Sequence, residues 1–140
     1  MSVAEKLNEL GLTIPQIATP VASYLPAVIS GNLVFTAGQL PFVDGKMAVT
    51  GKVGAEVTAE VANGLARTAV LNALAAVESQ VGSLDRVTRI VKLVVFVASD
   101  PSFAGQPGVA NGASDTLVEI FGEIGKHARS AVGVAVLPLD

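Results

Sequence analysis

The chain has 140 residues, enough for one domain with a single hydrophobic core. Apolar residues make up 51% and charged residues 15% of the sequence, which is too apolar and too weakly charged for a disordered protein. The formal net charge is −3, so attraction of nucleic acid by the surface as a whole is disfavoured. An apolar excess in so small a domain predicts a subunit interface.

The residue inventory excludes several kinds of site. The chain has no cysteine and one histidine, His127, which excludes disulfides, thiolate nucleophiles, Fe–S clusters and multi-His metal sites within a subunit. We therefore expect no metal site. Common motifs for dinucleotides, nucleoside phosphates, zinc proteolysis and serine hydrolysis are also missing. No signal-like segment or apolar run of ~20 residues occurs, so we expect a cytoplasmic protein without membrane contact.

The first elements predicted along the chain are a short helix, an arm and a hairpin. Residues 5–10 suit a helix that ends before Gly11, in the position of a C′ glycine. Residues 12–26 contain three prolines and predict an extended arm with at most edge pairing, so residues 1–26 form an N-terminal extension of one domain over 1–140. Residues 27–30 and 33–36 flank Gly31-Asn32 and predict a hairpin. The glycine-rich residues 42–57 indicate a surface excursion.

The remaining pattern predicts two helices that alternate with two strands. Thr58 is the expected N-cap of a helix over 58–80. Its two apolar stripes consist of Val61, Leu65, Ala69, Asn72 and Ala76, and of Val70, Leu74, Val77 and Val81. Residues 87–97 predict a central strand covered on both faces. A helix over 107–122 and a strand over 129–137 follow, and Ala131, Gly133 and Ala135 leave one face of that strand nearly bare. The order predicts an α+β fold with two helices against one mixed sheet.

A few polar side chains are candidates for chemistry. His127 could serve as a general acid or base, but its polar surroundings favour a loop or helix-end residue. Asp100 and Asp115 are interpreted as caps or solvated charges. Lys92 lies in an apolar strand, where a snorkelling or interface-paired lysine is favoured over a Schiff-base or anion-binding one. Arg129 opens the small-faced strand and could bind a carboxylate bidentately or form an ordinary ion pair, and the residues alone leave both open.

Three stretches resemble the Rid family of reactive-intermediate deaminases, also labelled YjgF or L-PSP endoribonuclease. They are residues 31–41 (GNLVFTAGQLP), 91–97 (VKLVVFV) and 128–138 (ARSAVGVAVLP), in the family's order and at about its spacing. The resemblance covers residues 24–138, and the GQ-x-P turn combined with ARS-x-V-x-V-x-x-LP is specific to it. It implies a chorismate-mutase-like fold, with two helices on one face of a mixed sheet, and a homotrimer with sites in clefts between neighbouring subunits.

The resemblance also implies an activity and a set of site residues. Known members hydrolyse small 2-imino or enamine acids to 2-keto acids and ammonia without a cofactor. In them an arginine binds the substrate carboxylate, and Arg129 matches it. The family's tyrosine is matched by Tyr24 and its helix asparagine by Asn111. Backbone groups that line the site fall at Gly38 and Ala131.

The chain departs from the family pattern in ways that leave three functions open. Ala37 replaces a serine whose hydroxyl helps to hold ligand or water, and Ala131 replaces a cysteine or serine. Family chains continue past the position of Asp140 with a strand whose glutamate positions the attacking water. The leading expectation is an imine deaminase. The alternatives are a non-catalytic trimer that binds small carboxylates, and an endoribonuclease, which the acidic charge and the lack of a histidine pair disfavour.

Overall fold

Three α-helices and six short strands make up the part of the chain that the computed structural model describes, residues 1–17 and 22–140. In chain order they are α1 (Val3–Glu9), β1 (Ala27–Ser30), β2 (Leu33–Thr36), β3 (Phe42–Val43), β4 (Lys46–Met47), α2 (Ala59–Val81), β5 (Lys92–Ala98), α3 (Gln106–Phe121) and β6 (Ala128–Val134). Single 3₁₀ turns, Leu84–Arg86 and Gly122–Gly125, precede β5 and β6. Residues 18–21 of the predicted arm lie outside the described residues.

Helix α1 begins earlier than the pattern predicts because Ser2 forms a capping box. The Ser2 hydroxyl accepts from the Glu5 amide at 3.1 Å, and the Glu5 carboxylate accepts from the Ser2 amide at 2.7 Å. The bond from the Ser2 amide favours the charged carboxylate, and together with the Ser2 hydroxyl it lowers the pKa of Glu5. The predicted stop is confirmed: Leu10 is the C-cap, and Gly11 follows with φ of +67°.

Strands β1 and β2 form the predicted antiparallel hairpin, with Gly31 at a positive φ of 61°. The prediction that residues 42–57 form a surface excursion is only partly correct. Within it, β3 and β4 form a second hairpin around Asp44 and Gly45, whose φ angles of 51° and 77° suit a type I′ turn. Further on, Val53 is buried, because its amide donates to the Ala98 carbonyl at 2.8 Å and draws this segment against the end of β5.

Helices α2 and α3 lie within one or two residues of their predicted bounds, but the buried side of α2 is partly mispredicted. The second stripe is confirmed at Val70 and Leu74 and the first at Ala76, whereas Val61 of the first is 44% exposed. The residues of α2 that are buried instead include the small ones at the crossing with α3. The full buried set is Ala62, Ala66, Val70, Leu74, Ala75 and Ala76.

The crossing of the two helices is unusually close at Gly112. A Cβ placed there would lie 1.9 Å from the Asn63 carbonyl oxygen, so only glycine fits. The Asn63 amide also donates to the Gly108 carbonyl at 2.9 Å, which holds the first half of α2 against α3. A short axial separation needs small side chains on both helices, which explains why alanines rather than valines are buried in the first turns of α2.

Strands β5 and β6 pair in parallel, from Lys92 opposite Ala128 to Ala98 opposite Val134, with α3 as the crossover. The predicted strand is confirmed over residues 92–97. Its predicted coverage on both faces is wrong for the single chain, because the helices cover one face only. On the other face Val94, Phe96 and Val132 are exposed, Phe96 by 56%.

The last strand, β6, is shorter than predicted. Other residues do approach its small-residue face closely, as expected. A Cβ at Gly133 would lie 2.7 Å from the Gln106 side-chain nitrogen and 3.0 Å from the Ser99 hydroxyl. Helix α2 packs against β1 and β2 and α3 against β5 and β6, which confirms an α+β fold with antiparallel and parallel pairs. Within the described ranges these ladders are two-stranded, and no helix there is long and apolar enough to cross a membrane.

Candidate functional site

Arg129 lies at the entry to β6 on the face covered by α3. Its Nη1 donates to Asn111 Oδ1 at 2.7 Å and to Ser114 Oγ at 3.2 Å. Asn111 and Ser114 are three residues apart on α3 and therefore share a face of that helix. The structure thus brings together two predicted site residues, Arg129 and Asn111, and adds Ser114 between them and the core.

Only one of the three nitrogens of the Arg129 guanidinium is bonded within the described chain. A guanidinium carries five N–H donors, and both protein bonds use Nη1. Across residues 1–17 and 22–140, Nε and Nη2 have no hydrogen-bond acceptor, and Arg129 forms no ion pair. One N–H of Nη2 runs parallel to Nε–H, and such a fork matches the two oxygens of a carboxylate. The alternative of an ion pair within the subunit is therefore not realised there.

His127 is connected to the same cluster. Its Nε2 lies 2.9 Å from Ser114 Oγ, and its Nδ1 lies 2.6 Å from the Gly125 carbonyl oxygen. Because a carbonyl can only accept, Nδ1 carries a proton, and Nε2 of the neutral ring accepts from the Ser114 hydroxyl. His127 does follow a helical turn, as predicted, but its contacts tie it to Arg129.

The sequence-based prediction does not include Ser114, and it considers His127 only as a general acid or base, with a loop or helix-end role favoured, although spacing could have indicated both residues. Ser114 stands three residues after Asn111 in a predicted helix, and His127 stands two residues before Arg129 at the start of a predicted strand. The first spacing places Asn111 and Ser114 on one face of α3, and the second places His127 just before β6, two residues from Arg129. The decisive step, which face of α3 meets which face of β6, needs the packed structure.

The other predicted site residues separate into two groups. Ala131 stands two residues after Arg129 in β6 and is half-buried on the same face. Tyr24, Ala37 and Gly38 lie around the β1–β2 hairpin: Tyr24 is 55% exposed before β1, and the Ala37 amide donates to the Pro26 carbonyl at 2.8 Å. Within the described part of the chain, no hydrogen bond links these three residues to Arg129.

The segment after Gly38 is held by Asn72 of α2. The half-buried Asn72 amide donates to the Leu40 carbonyl at 2.9 Å and to the Phe42 carbonyl at 3.1 Å. Asn72 was predicted as a member of an apolar stripe, and it does face inwards, but its role is polar. It closes the loop that carries Gly38, because both amide protons are used on the backbone of that loop.

Asn72→Ala is expected to lower the free energy of unfolding by about 1–3 kcal/mol, because the Leu40 and Phe42 carbonyls each lose the Asn72 donor, although the Leu40 carbonyl keeps another, the Phe42 amide at 2.8 Å. Urea denaturation would show this as a lower midpoint with an unchanged slope. Gln80→Ala, at an exposed position of the same helix, is the matched control and should stay near wild type. Equal midpoints for the two variants would contradict the anchoring role of Asn72.

The remaining candidates stand apart from Arg129. The hydroxyl of Ser102, at 2.6 Å, and its amide, at 2.9 Å, lower the pKa of Asp100, which therefore caps a turn as predicted. Asp115 is exposed on α3. Lys92 donates to the Ser130 hydroxyl at 2.9 Å on the exposed side of the β5–β6 ladder. Among the described residues, no cluster of three or more His, Cys, Asp or Glu could hold a metal ion.

Known proteins match nearly the whole chain. Residues 4–140 match the model of a family described as "YjgF/chorismate_mutase-like, putative endoribonuclease". Protein TCP17 of Trypanosoma cruzi is 46% identical over 137 residues, which are 97% of this chain and 86% of the relative. RutC family protein PM1466 of Pasteurella multocida (strain Pm70) is 37% identical over 124 residues, 86% of this chain and 81% of the relative.

Solved structures agree with these sequence matches. The crystal structure of protein Atu1372 from Agrobacterium tumefaciens, of unknown function, superposes with a TM-score of 0.90 at 45% identity, covering 98% of this chain and 85% of that one. A "putative endoribonuclease" from Shewanella oneidensis MR-1 superposes with a TM-score of 0.95 at 34% identity, covering 99% and 92%. The helices, the parallel ladder and the hairpins thus define an α+β protein of the chorismate-mutase-like class. The chain belongs to the YjgF family, the Rid family of its three sequence motifs.

Proposed function

We propose that the protein hydrolyses small 2-imino or enamine acids to 2-keto acids and ammonia, and that Arg129 binds the substrate carboxylate. The observation that carries this proposal is the hydrogen bonding of the Arg129 guanidinium. Its Nη1 donates to Asn111 and Ser114, while Nε and Nη2 have no partner in the described chain. An arginine held in this way is prepared for a planar anion with two oxygens.

The chemistry suits a site with few catalytic groups. Water adds to the electrophilic imine carbon, the tetrahedral adduct loses ammonia, and the carbonyl of the 2-keto acid forms, so no redox change is involved. Fixing the carboxylate orients that carbon towards water. Proton transfer by a side chain contributes typically ~10²–10⁴-fold, and we assign it to the Tyr24 hydroxyl. The Asn111 amide cannot transfer a proton, and we assign it the orientation of the reacting groups through hydrogen bonds.

A homotrimer would complete the site. Within the described part of one chain no hydrogen bond joins Tyr24, Ala37 or Gly38 to Arg129, and we propose that a neighbouring subunit supplies these three residues to the cleft. The exposed side of β5 and β6 supports such an assembly, because large apolar side chains stand on it. We propose the cytoplasm as its location, which suits a chain without cysteine.

Phe96→Asp is expected to dissociate the assembly, because burying three unpaired carboxylates in an apolar interface is unfavourable. Light scattering would then give the mass of one subunit instead of three. Val43→Asp is the matched control: Val43 is equally exposed, at 55% against 56%, but lies on the β3–β4 hairpin. If the Phe96→Asp protein remains trimeric, or if the control variant also dissociates, the assignment of the β5–β6 face to the interface is wrong.

Hydrolysis of freshly generated 2-iminopropanoate tests the proposed activity. We expect the protein to accelerate pyruvate formation above the buffer rate, in proportion to its concentration. Pyruvate binding without acceleration would instead identify the non-catalytic carboxylate-binding trimer. Neither acceleration nor binding, with the assembly intact, would refute the proposed site.

The ribonuclease alternative rests on the family description and needs a separate test. The net charge of −3 opposes RNA binding, although a trimer could gather cations at its clefts. A single-stranded RNA that competes with pyruvate for the protein, and is cleaved in a way that Arg129→Ala abolishes, would favour it over the deaminase.

A further inference from the structure

We propose that His127 and Ser114 are positioning residues that orient Arg129, with the Ser114 hydroxyl as the link between the imidazole and the guanidinium. The use of this orientation for carboxylate binding rests on the proposed function, but the hydrogen-bonded relay itself does not.

The relay has a fixed direction. Gly125 O accepts from His127 Nδ1 at 2.6 Å, so Nε2 of the neutral ring is an acceptor and lies 2.9 Å from Ser114 Oγ. The Ser114 proton is then directed at the ring, and the oxygen turns its lone pairs to Arg129 Nη1 at 3.2 Å. The relay thus consists of three hydrogen bonds in sequence: Nδ1–H of His127 donates to the Gly125 carbonyl, the Ser114 hydroxyl donates to His127 Nε2, and Arg129 Nη1 donates to the Ser114 oxygen.

The origin of the relay is rigid. Gly125 is buried against α3, where a Cβ would lie 2.4 Å from the Leu117 carbonyl oxygen. The same turn is joined to the segment before β5, because the Ile90 amide donates to the Ile124 carbonyl at 2.8 Å. The turn that carries the Gly125 carbonyl is therefore in contact with α3 and bonded, through Ile124, to the segment before β5.

A serine hydrogen-bonded to a histidine also resembles an activated nucleophile, but the third partner argues against that role here. Arg129 donates to the same oxygen that would have to attack, and this cation draws electron density from it. The same bond between Ser114 Oγ and Arg129 Nη1 is favourable for Arg129, because it fixes the position of the guanidinium. With Asn111 on the other proton of Nη1, it opposes rotation of the guanidinium and keeps the Nε and Nη2 edge turned away from Asn111 and Ser114.

The single histidine allows a direct test by ¹⁵N NMR of the imidazole at a pH where the ring is neutral. In wild type we expect the Nδ1–H tautomer, with a hydrogen-bonded Nε2. Ser114→Ala should release Nε2, and Ser114→Thr, which keeps the hydroxyl, should restore the wild-type signal. Pyruvate binding should weaken about 3- to 10-fold in Ser114→Ala and His127→Phe and recover in Ser114→Thr, because an unheld arginine must be ordered on binding.

The outcomes separate the relay from the proposed function. Wild-type pyruvate affinity in both Ser114→Ala and His127→Phe would overturn the positioning role even if the protein is a deaminase. If wild type neither binds pyruvate nor accelerates imine hydrolysis, the proposed function fails, and the NMR measurements alone decide whether the relay exists. A wild-type ring with its proton on Nδ1, a hydrogen-bonded Nε2 that Ser114→Ala releases, and slow Arg129 Nη rotation that becomes faster in Ser114→Ala would support the relay, whereas a proton on Nε2 would overturn it.

Discussion

Arg129→Ala is expected to abolish measurable imine hydrolysis and most pyruvate binding while leaving the assembly intact. Loss of a charged partner for a bound carboxylate typically costs ~2–5 kcal/mol, which is roughly 30- to 4,000-fold in affinity. The fold should tolerate the change, because Asn111 and Ser114 can turn to water and no ion pair is broken in the described chain. Calorimetric titration with pyruvate and the iminopropanoate assay would measure the two effects.

Two variants sharpen this prediction. Arg129→Lys keeps the charge but cannot hold Asn111 and Ser114 while presenting a planar fork, so we expect an affinity between those of wild type and Arg129→Ala. Arg89→Ala removes an exposed arginine before β5 and should behave as wild type. If Arg129→Ala dissociates or unfolds the protein, Arg129 is structural, and if it binds pyruvate normally, the carboxylate is bound elsewhere.

Gly112→Ala is expected to lower the free energy of unfolding by about 1–3 kcal/mol, as overpacking of a well-filled core does. The added methyl would lie 1.9 Å from the carbonyl oxygen of Asn63, a backbone atom that can move only if the two helices separate. Urea denaturation would measure the loss. Because Asn111 is the preceding residue, weaker pyruvate binding should accompany it.

Gly108→Ala is the matched control for Gly112→Ala. It lies in the same helix, and a Cβ there meets no atom within 4 Å. Alanine is favoured over glycine in a helix by up to about 1 kcal/mol, so this variant should be as stable as wild type or more stable. Equal losses in both variants would show that the crossing of α2 and α3 is not the cause.

The sequence predicts well those features that depend on neighbouring residues. Gly11 ends α1, Gly31 turns the first hairpin, and Thr58 caps α2, its hydroxyl accepting from the Val61 amide at 3.2 Å. The second hairpin was missed because its strands have two residues each, too few to show alternation, although Asp44-Gly45 is a strong turn signal.

Features that depend on distant contacts could not be predicted in the same way. Alanine and valine are both apolar, so periodicity cannot show that close packing with α3 selects Ala62 over Val61. Hydropathy marks Phe96 as apolar without showing whether a helix or another subunit covers it. For the site, the motif match indicates Arg129 and Asn111, whereas the parts played by Ser114 and His127 depend on the register of α3 against β6.

The parallel pairing of β5 with β6 has a consequence for how the site forms. The β1–β2 hairpin closes over two residues, but β5 must wait for the whole of α3 before β6 can pair with it, so this unit has the larger loop-closure cost. Asn111, Ser114, His127 and Arg129 all belong to α3, β6 and the turn between them. We expect the binding site to assemble late in folding, and to be lost as one cooperative piece when β6 opens.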